Sequence, residues 1–447
     1  SLPALIRAIA AEEHFTPDDP ELIRFASALA STFPLLQPAK RLFLDVTATC
    51  RNDLKTGIER VARALMLALL EFPPAGYRIE PVYLSDAGGT WHHRYARGYT
   101  LTLLGCPNDV LVDEPILPMS GDVLLTLDLS GGLLVEAEKA GLFRRYREQG
   151  VSVYATVFDL LPILLPETFP PGADQHHLQW LQAISTFDGA VCISEAVADE
   201  LRAWQDANDF KWENRRHFSI NWFHLGADVS NSAPTRGLPE NAETILQQLK
   251  ASPSFLMVGT IEPRKGYLQT LEAFDELWHE GAEVNLIIVG HEGWKSLPNE
   301  LRRDIPKTVA KLRNHPQLNR RLFWLEGISD ESLEKLYAAS TCLIAASYGE
   351  GFGLPLIEAA QHKLPIIARD IPVFREVAGE HAFFFQAQSF QDLAGIVRYW
   401  LSMLKDGNYP ASAVMLGQTW RQSANQLFSN FSLDRLKACV GQIKGAE

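Results

Sequence analysis

Residues 345–360 read Ala-Ala-Ser-Tyr-Gly-Glu-Gly-Phe-Gly-Leu-Pro-Leu-Ile-Glu-Ala-Ala. They end an apolar run, Cys342-Leu343-Ile344-Ala345-Ala346, that predicts a buried strand of a parallel sheet. Gly349, Gly351 and Gly353 let the backbone turn sharply and lie close to a ligand. Pro355 suits the first turn of a helix, which Leu356, Ile357, Ala359 and Ala360 continue. The stretch is strand, glycine loop, helix N-terminus. Free N–H groups and the positive end of a helix dipole then face whatever sits in front, which favours a phosphate. Glu350 lies in the loop, within reach of a polar ligand. Glu358 lies one turn into the helix, suited to accept hydrogen bonds from hydroxyls. An ordinary loop with a solvated Glu358 is the other reading of this segment taken alone.

Outward from this stretch, strands and helices alternate. Strands are expected at 255–259, 286–290, 322–325 and 365–368, with helices at 267–278, 300–312, 332–339 and 374–378 between and after them. The first half repeats the pattern, with strands at 42–46, 77–84, 123–127, 151–158, 190–193 and 217–225. A polar loop follows the first strand and ends at Gly57, ahead of an amphipathic helix carrying Ile58, Val61, Ala62, Leu65, Met66 and Leu69. Such alternation predicts an α/β chain of two doubly wound parallel sheets facing a cleft. The expected parts are a helical hairpin over 1–38, a Rossmann-like domain over 39–229, a turn-rich linker at 230–250, a second Rossmann-like domain over 251–405, and helices over 406–447 that cross back to the first domain. A ligand belongs between the sheets, at the carboxyl ends of their strands.

Composition narrows the function. Of 447 residues, 54 are acidic and 41 are Lys or Arg, for a net charge of −13, where a nucleic-acid binder would carry a basic surplus. Basic pairs such as Lys40-Arg41, Arg144-Arg145 and Arg302-Arg303 read as solvated helix ends; the alternative is contact with an anionic membrane surface. The cysteines, Cys50, Cys106, Cys192, Cys342 and Cys439, are widely spaced and mostly apolar in setting, which argues free thiols and a reducing compartment. No secretory signal and no apolar stretch of about 18 residues is found, so no membrane span is expected.

A second loop bears on the first. Thr260-Ile261-Glu262-Pro263-Arg264-Lys265-Gly266 follows the strand at 255–259 and opens the next helix. A guanidinium fork beside a mobile ammonium suits a diphosphate. Cations at a helix start oppose its dipole, and a bound anion explains them better than solvation does.

These segments resemble retaining glycosyltransferases with two facing Rossmann domains, the GT-B fold, of the GT4 type. Residues 258–266 resemble that family's phosphate loop, with Gly259. The Glu-x7-Glu region is matched at 350–358, with Gly351, Phe352, Gly353 and Leu354 between its carboxylates. Gly327-Ile328-Ser329-Asp330 to Leu336-Tyr337 is similar to the segment whose backbone meets the nucleobase, with Ile328 as the candidate contact. Thr56-Gly57-Ile58-Glu59-Arg60-Val61 resembles the glycine loop facing the donor phosphates. Phe158-Asp159-Leu160-Leu161-Pro162 departs from it, because many relatives carry His where Phe158 stands; Asp159 is the substitute candidate. The resemblance implies transfer of a sugar with retention from a nucleotide sugar, GDP-mannose first and UDP-glucose or a rhamnose donor next. The acceptor would be a glycan or lipid-linked glycan of surface polysaccharide assembly, reached in the cytoplasm at the inner membrane face. In this picture Glu358 holds the ribose, Arg264 and Lys265 neutralise the departing diphosphate without a metal, and Glu350 orients the donor sugar. A sugar phosphorylase or epimerase, or a non-catalytic sugar-binding module, are the rival classes.

Overall fold

The computed structural model describes residues 39–52, 57–208, 218–228, 235–239, 241–415 and 417–431, with isolated positions between 18 and 28. The hairpin expected over 1–38 lies almost wholly outside them. So do Thr56, linker residues 229–234 and residues 432–447 of the helices expected over 406–447.

Two sheets form. The first runs β1 (Lys40–Asp45), β2 (Tyr77–Ser85), β3 (His92–Tyr95), β4 (Val123–Thr126), β5 (Ser152–Val157), β6 (Gly189–Cys192) and β7 (Ser219–Trp222), in the order β3-β2-β1-β4-β5-β6-β7. The second runs β8 (Ser254–Val258), β9 (Asn285–Val289), β10 (Leu322–Leu325), β11 (Cys342–Ala345), β12 (Ile366–Arg369) and β13 (Phe383–Phe385), in the order β10-β9-β8-β11-β12-β13. The helices that position the site are α1 (Gly57–Glu71), α2 (Glu195–Ala207), α3 (Tyr267–His279), α4 (Asp330–Ala339), α5 (Leu354–Gln361) and α6 (Pro372–Ala378).

The second sheet is parallel throughout, whereas the first carries an antiparallel edge, β3 paired with β2 through Val82↔Tyr95 to Ser85↔His92. The six residues between β2 and β3 are too few for a crossover helix, so the chain returns as a hairpin. Two strands were absent from the sequence reading, β3 and the edge strand β13, both short and only partly buried. The helix expected at 300–312 begins later, at Ile305, after a 3₁₀ turn at Asn299–Leu301.

Central strands read as unbroken apolar runs because helices cover both faces of each sheet. Leu42, Phe43 and Leu44 are fully buried, as are Leu286, Ile287 and Ile288. On α1 the face that meets the first sheet carries Val61, Leu65, Met66 and Leu69. Each such large side chain contributes about 1.5–3 kcal/mol by leaving water. That layer also holds Trp420, Leu427 and Phe431, so the segment 420–431 returns from the second domain to pack on the first.

Candidate active site

The second sheet reverses its winding between β8 and β11, which are hydrogen-bonded neighbours. Loops leaving two such strands diverge and open a crevice at their carboxyl ends. The loop after β8 carries Gly259 to Gly266, and the loop after β11 carries Ser347 to Gly353. The Tyr348 N–H donates to the Arg264 carbonyl at 2.7 Å and ties the two loops together. Gly353 precedes α5 at φ +97°, where a side chain would also meet the Phe374 ring, so glycine is needed here.

Arg264, Lys265 and Glu350 converge in that crevice. Glu350 Oε2 accepts from Arg264 Nη1 at 3.0 Å, and Oε1 accepts from Ser347 Oγ at 2.7 Å and is ion-paired to the Lys265 ammonium. Arg264 Nε donates to Glu262 at 3.0 Å, and Nη1 also to the Gly349 carbonyl at 3.2 Å. Burial pushes the Glu350 carboxyl up, but Lys265 and Arg264 overcome it and hold it down at about 2. Burial works against the Arg264 charge too, and Glu350 with Glu262 more than restores it. The cations expected to face an anion therefore already carry carboxylate partners, which offsets the cost of burying them. A guanidinium has five N–H donors and an ammonium three, more than these partners take up. The cluster is a pre-set array of donors held in place by Glu350.

Glu358 is 3% exposed. Its Oε2 accepts from Tyr337 Oη on α4 at 2.7 Å, and its Oε1 lies 2.7 Å from Arg60 Nη1, which comes from α1 in the other domain. The Glu358 charge raises the Arg60 pKa against the opposing effect of burial. Beside this pair is a shallow pocket lined by Arg60, Asp330, Glu334, Tyr337, Glu358 and His362, with the Tyr337 and His362 rings stacked at 5.5 Å.

The glycine loop is also where the domains meet. The Ser194 hydroxyl donates to the Gly351 carbonyl at 2.7 Å. A side chain at Gly351 would overlap the Phe158 carbonyl, so this glycine serves the approach of the other domain. Phe352 is buried against His224, and Leu354 packs on the same layer, so both side chains are spent on the domain contact. From α6, Glu376 accepts the N–H groups of Glu195 at 2.7 Å and Ala196 at 2.8 Å, the first turn of α2. It also meets His224 Nε2 at 2.6 Å. His224 is thus an interdomain partner.

Asp159 stands just past β5, half-buried, and its Oδ1 accepts the Leu161 N–H at 3.1 Å, the turn-capping role. Its charge also bears on Arg264, on Glu200 and on His177. Gly57 opens α1, and Gly259 ends the β8 run with its carbonyl held by Tyr267 Oη at 2.6 Å. Ile328 precedes Ser329, whose hydroxyl caps α4. The linker docks on that cap: the Thr235 N–H donates to Asp330 at 2.7 Å, and Ser332 Oγ donates to the Gly237 carbonyl at 3.1 Å.

Arg60, Tyr337 and Ser347, which lie in matched segments but were given no role there, and Glu376, which lies in none, join this site. Arg60 had a usable signal: it is a cation in the first turn of α1, opposing the dipole as Arg264 does before α3. Glu376 had none, because its partners lie on the other domain.

Residues 241–412 match the family described as Glycosyl transferases group 1. The matched stretch contains both loops of the crevice. Over 398 residues the chain is 41% identical to the serotype-specific mannosyltransferase WbdA of Escherichia coli, covering 89% of this chain and 47% of that protein. The O-antigen chain mannosyltransferase B of Escherichia coli is 26% identical over 40% of this chain and 45% of its own length. The chain spans about half the length of the curated relatives it matches. Among solved structures, Anabaena HepE in complex with UDP and glucose superposes with a TM-score of 0.57 at 15% identity, covering 88% of this chain and 100% of that one. Sucrose-phosphate synthase of Thermosynechococcus elongatus gives 0.55 at 18% identity, covering 91% and 100%. The two-domain GT-B arrangement is therefore the fold of this chain. Among the described residues, no helix is long and apolar enough to cross a membrane.

Proposed function

We propose that this chain is a retaining mannosyltransferase that moves mannose from GDP-mannose to a hydroxyl of a glycan or lipid-linked glycan in O-antigen-type assembly. The observation that carries the reading is the 41% identity to WbdA over most of the chain, joined to the Arg264–Lys265–Glu350 array at the switch point. The diphosphate takes up the remaining donors of Arg264 and Lys265. As the bond from the sugar to the diphosphate breaks, negative charge grows on the leaving oxygens, and cations already fixed there gain interaction energy without reorganising. Glu350 keeps both cations aligned and, with its own charge secured, is placed to orient the donor sugar. Glu358 takes the ribose hydroxyls, and Asp159 faces the sugar from the opposite domain. The acceptor hydroxyl then attacks on the face that the diphosphate leaves, which keeps the anomeric configuration. The side chains do this without a metal ion, and a lipid-linked acceptor places the reaction at the inner membrane face.

The test is incubation with GDP-mannose and a mannose-terminated oligosaccharide, followed by NMR of the product. An α-linked mannose that persists in EDTA is the expected result. A β-linked product overturns retention, turnover of UDP-glucose alone overturns the donor, and activity restored only by Mg²⁺ or Mn²⁺ overturns the metal-free array.

A further inference from the structure

The pair Arg60–Glu358 joins a donor from one domain to an acceptor from the other at the edge of a pocket. Three observations bear on its use. Glu358 Oε1 is ion-paired to Arg60 at 2.7 Å yet accepts no well-aligned hydrogen bond among the described residues, so accepting capacity remains on that oxygen. Arg60 Nε is likewise buried without a hydrogen-bond partner among the described residues. Both atoms belong to residues that line the same pocket, which opens to solvent. A buried N–H donor left without a partner costs stability unless a ligand group completes it, and a carboxylate oxygen with one ion-paired neighbour has a lone pair left to accept another donor.

The missing group has to be both donor and acceptor. A hydroxyl meets that requirement: its O–H serves a carboxylate, which only accepts, and its lone pairs serve a guanidinium, which only donates. A vicinal diol supplies two such groups side by side. A phosphate would satisfy Arg60 and repel Glu358, and an ammonium would do the reverse. Tyr337 holds the far oxygen of Glu358 at 2.7 Å and keeps the near one turned to Arg60.

Building on the nucleotide-sugar reading above, we infer that Arg60 is a nucleotide-binding residue that grips the ribose diol together with Glu358, so that the ribose itself is bound between the two domains. Glu358 alone would make ribose recognition a property of the second domain. With Arg60 it becomes a contact that exists only when α1 lies against α5.

The test compares GDP with 2′,3′-dideoxy-GDP by calorimetry, with the UDP pair in parallel, on the wild-type chain and on Arg60→Met, Arg60→Lys and Glu358→Gln. The wild type should prefer the ribonucleotide by roughly 10- to 100-fold, the range for hydrogen bonds to charged groups. Arg60→Met should shrink that preference to about threefold or less, and Glu358→Gln should do the same. Arg60→Lys keeps a cation on Glu358 but loses the fork, so it should fold like the wild type and show an intermediate preference; it decides the matter if Arg60→Met does not fold. A wild-type preference retained in Arg60→Lys and Arg60→Met, but lost in Glu358→Gln, makes Arg60 a strut between domains and overturns this inference alone. A wild-type chain that binds neither GDP nor UDP overturns the donor reading and this inference with it.

Discussion

Gly351→Ala should separate domain approach from folding. An added Cβ would stand 3.1 Å from the Phe158 carbonyl carbon and 3.1 Å from Ile193 Cδ1, and nearer still to the Phe158 oxygen. Carbon atoms rest at about 3.5–4.0 Å. The Ile193 methyl can rotate away, but the Phe158 carbonyl is backbone just past β5 and cannot. The loop must therefore retreat from the first domain by on the order of 1 Å. That breaks the hydrogen bond from Ser194 Oγ to the Gly351 carbonyl, a contribution of about 1 kcal/mol. The larger loss is in positioning. Arg264, Lys265 and Glu350 sit on one side of the gap and Asp159 on the other, and a displacement of about 1 Å between groups acting together costs on the order of 10²-fold in rate. Transfer kcat/KM should fall by about that factor, with a small rise in the radius of gyration. The φ of Gly351 is not in the left-handed region, so strain does not confound the result. Gly353→Ala is the contrast: its φ of +97° and its closeness to Phe374 predict a lower Tm. A folded Gly351→Ala protein with wild-type kcat/KM and an unchanged radius of gyration would refute the reasoning.

Further outcomes follow from the same geometry. Lys265→Ala should lower kcat by roughly 10²-fold, since its ammonium acts on charge that develops in the transition state; a variant with normal kcat and only a raised donor KM contradicts this. Glu376→Ala removes the acceptor for two α2 N–H groups and for His224, and should cost on the order of a few kcal/mol of domain contact, read as separate melting of the halves in calorimetry; a single unchanged transition rules it out. The Asp128 carboxyl, fully buried near Asp45, is pushed up to about 7 by burial and by that neighbouring charge. A carboxyl with a raised folded pKa binds its proton more tightly when folded, so stability falls as pH rises from about 4 to about 7 and is level above. Asp128→Asn retains an acceptor for the Thr49 N–H, held at 2.7 Å. It should raise Tm at pH 8 and leave it near the wild-type value at pH 4, whereas an equal drop at both would show that the charge is not the issue.

The sequence by itself determined the alternation of strands and helices, the two glycine loops, and the charged residues that stand in and beside them, Arg264, Lys265, Glu350 and Glu358. Those are local signals. An apolar run of five residues, a glycine before a helix or a cation in a first turn each depends on neighbours within a few positions. The edge hairpin of β2 and β3 was less legible because β3 has four residues and only His93 among them is buried. What each site residue touches was decided by tertiary structure alone. Arg264 and Lys265 are neighbours of Glu350 only because β8 and β11 pair at the winding switch. The Gly351 contact with Phe158, the Glu376 hold on α2 and the Arg60 reach to Glu358 all cross between domains. No local pattern encodes them, because they depend on how two separately wound sheets are set against each other. That setting is a sum over many weak contacts far apart in the chain, including the return of 420–431 onto the first domain, and it becomes visible only when the whole chain is folded.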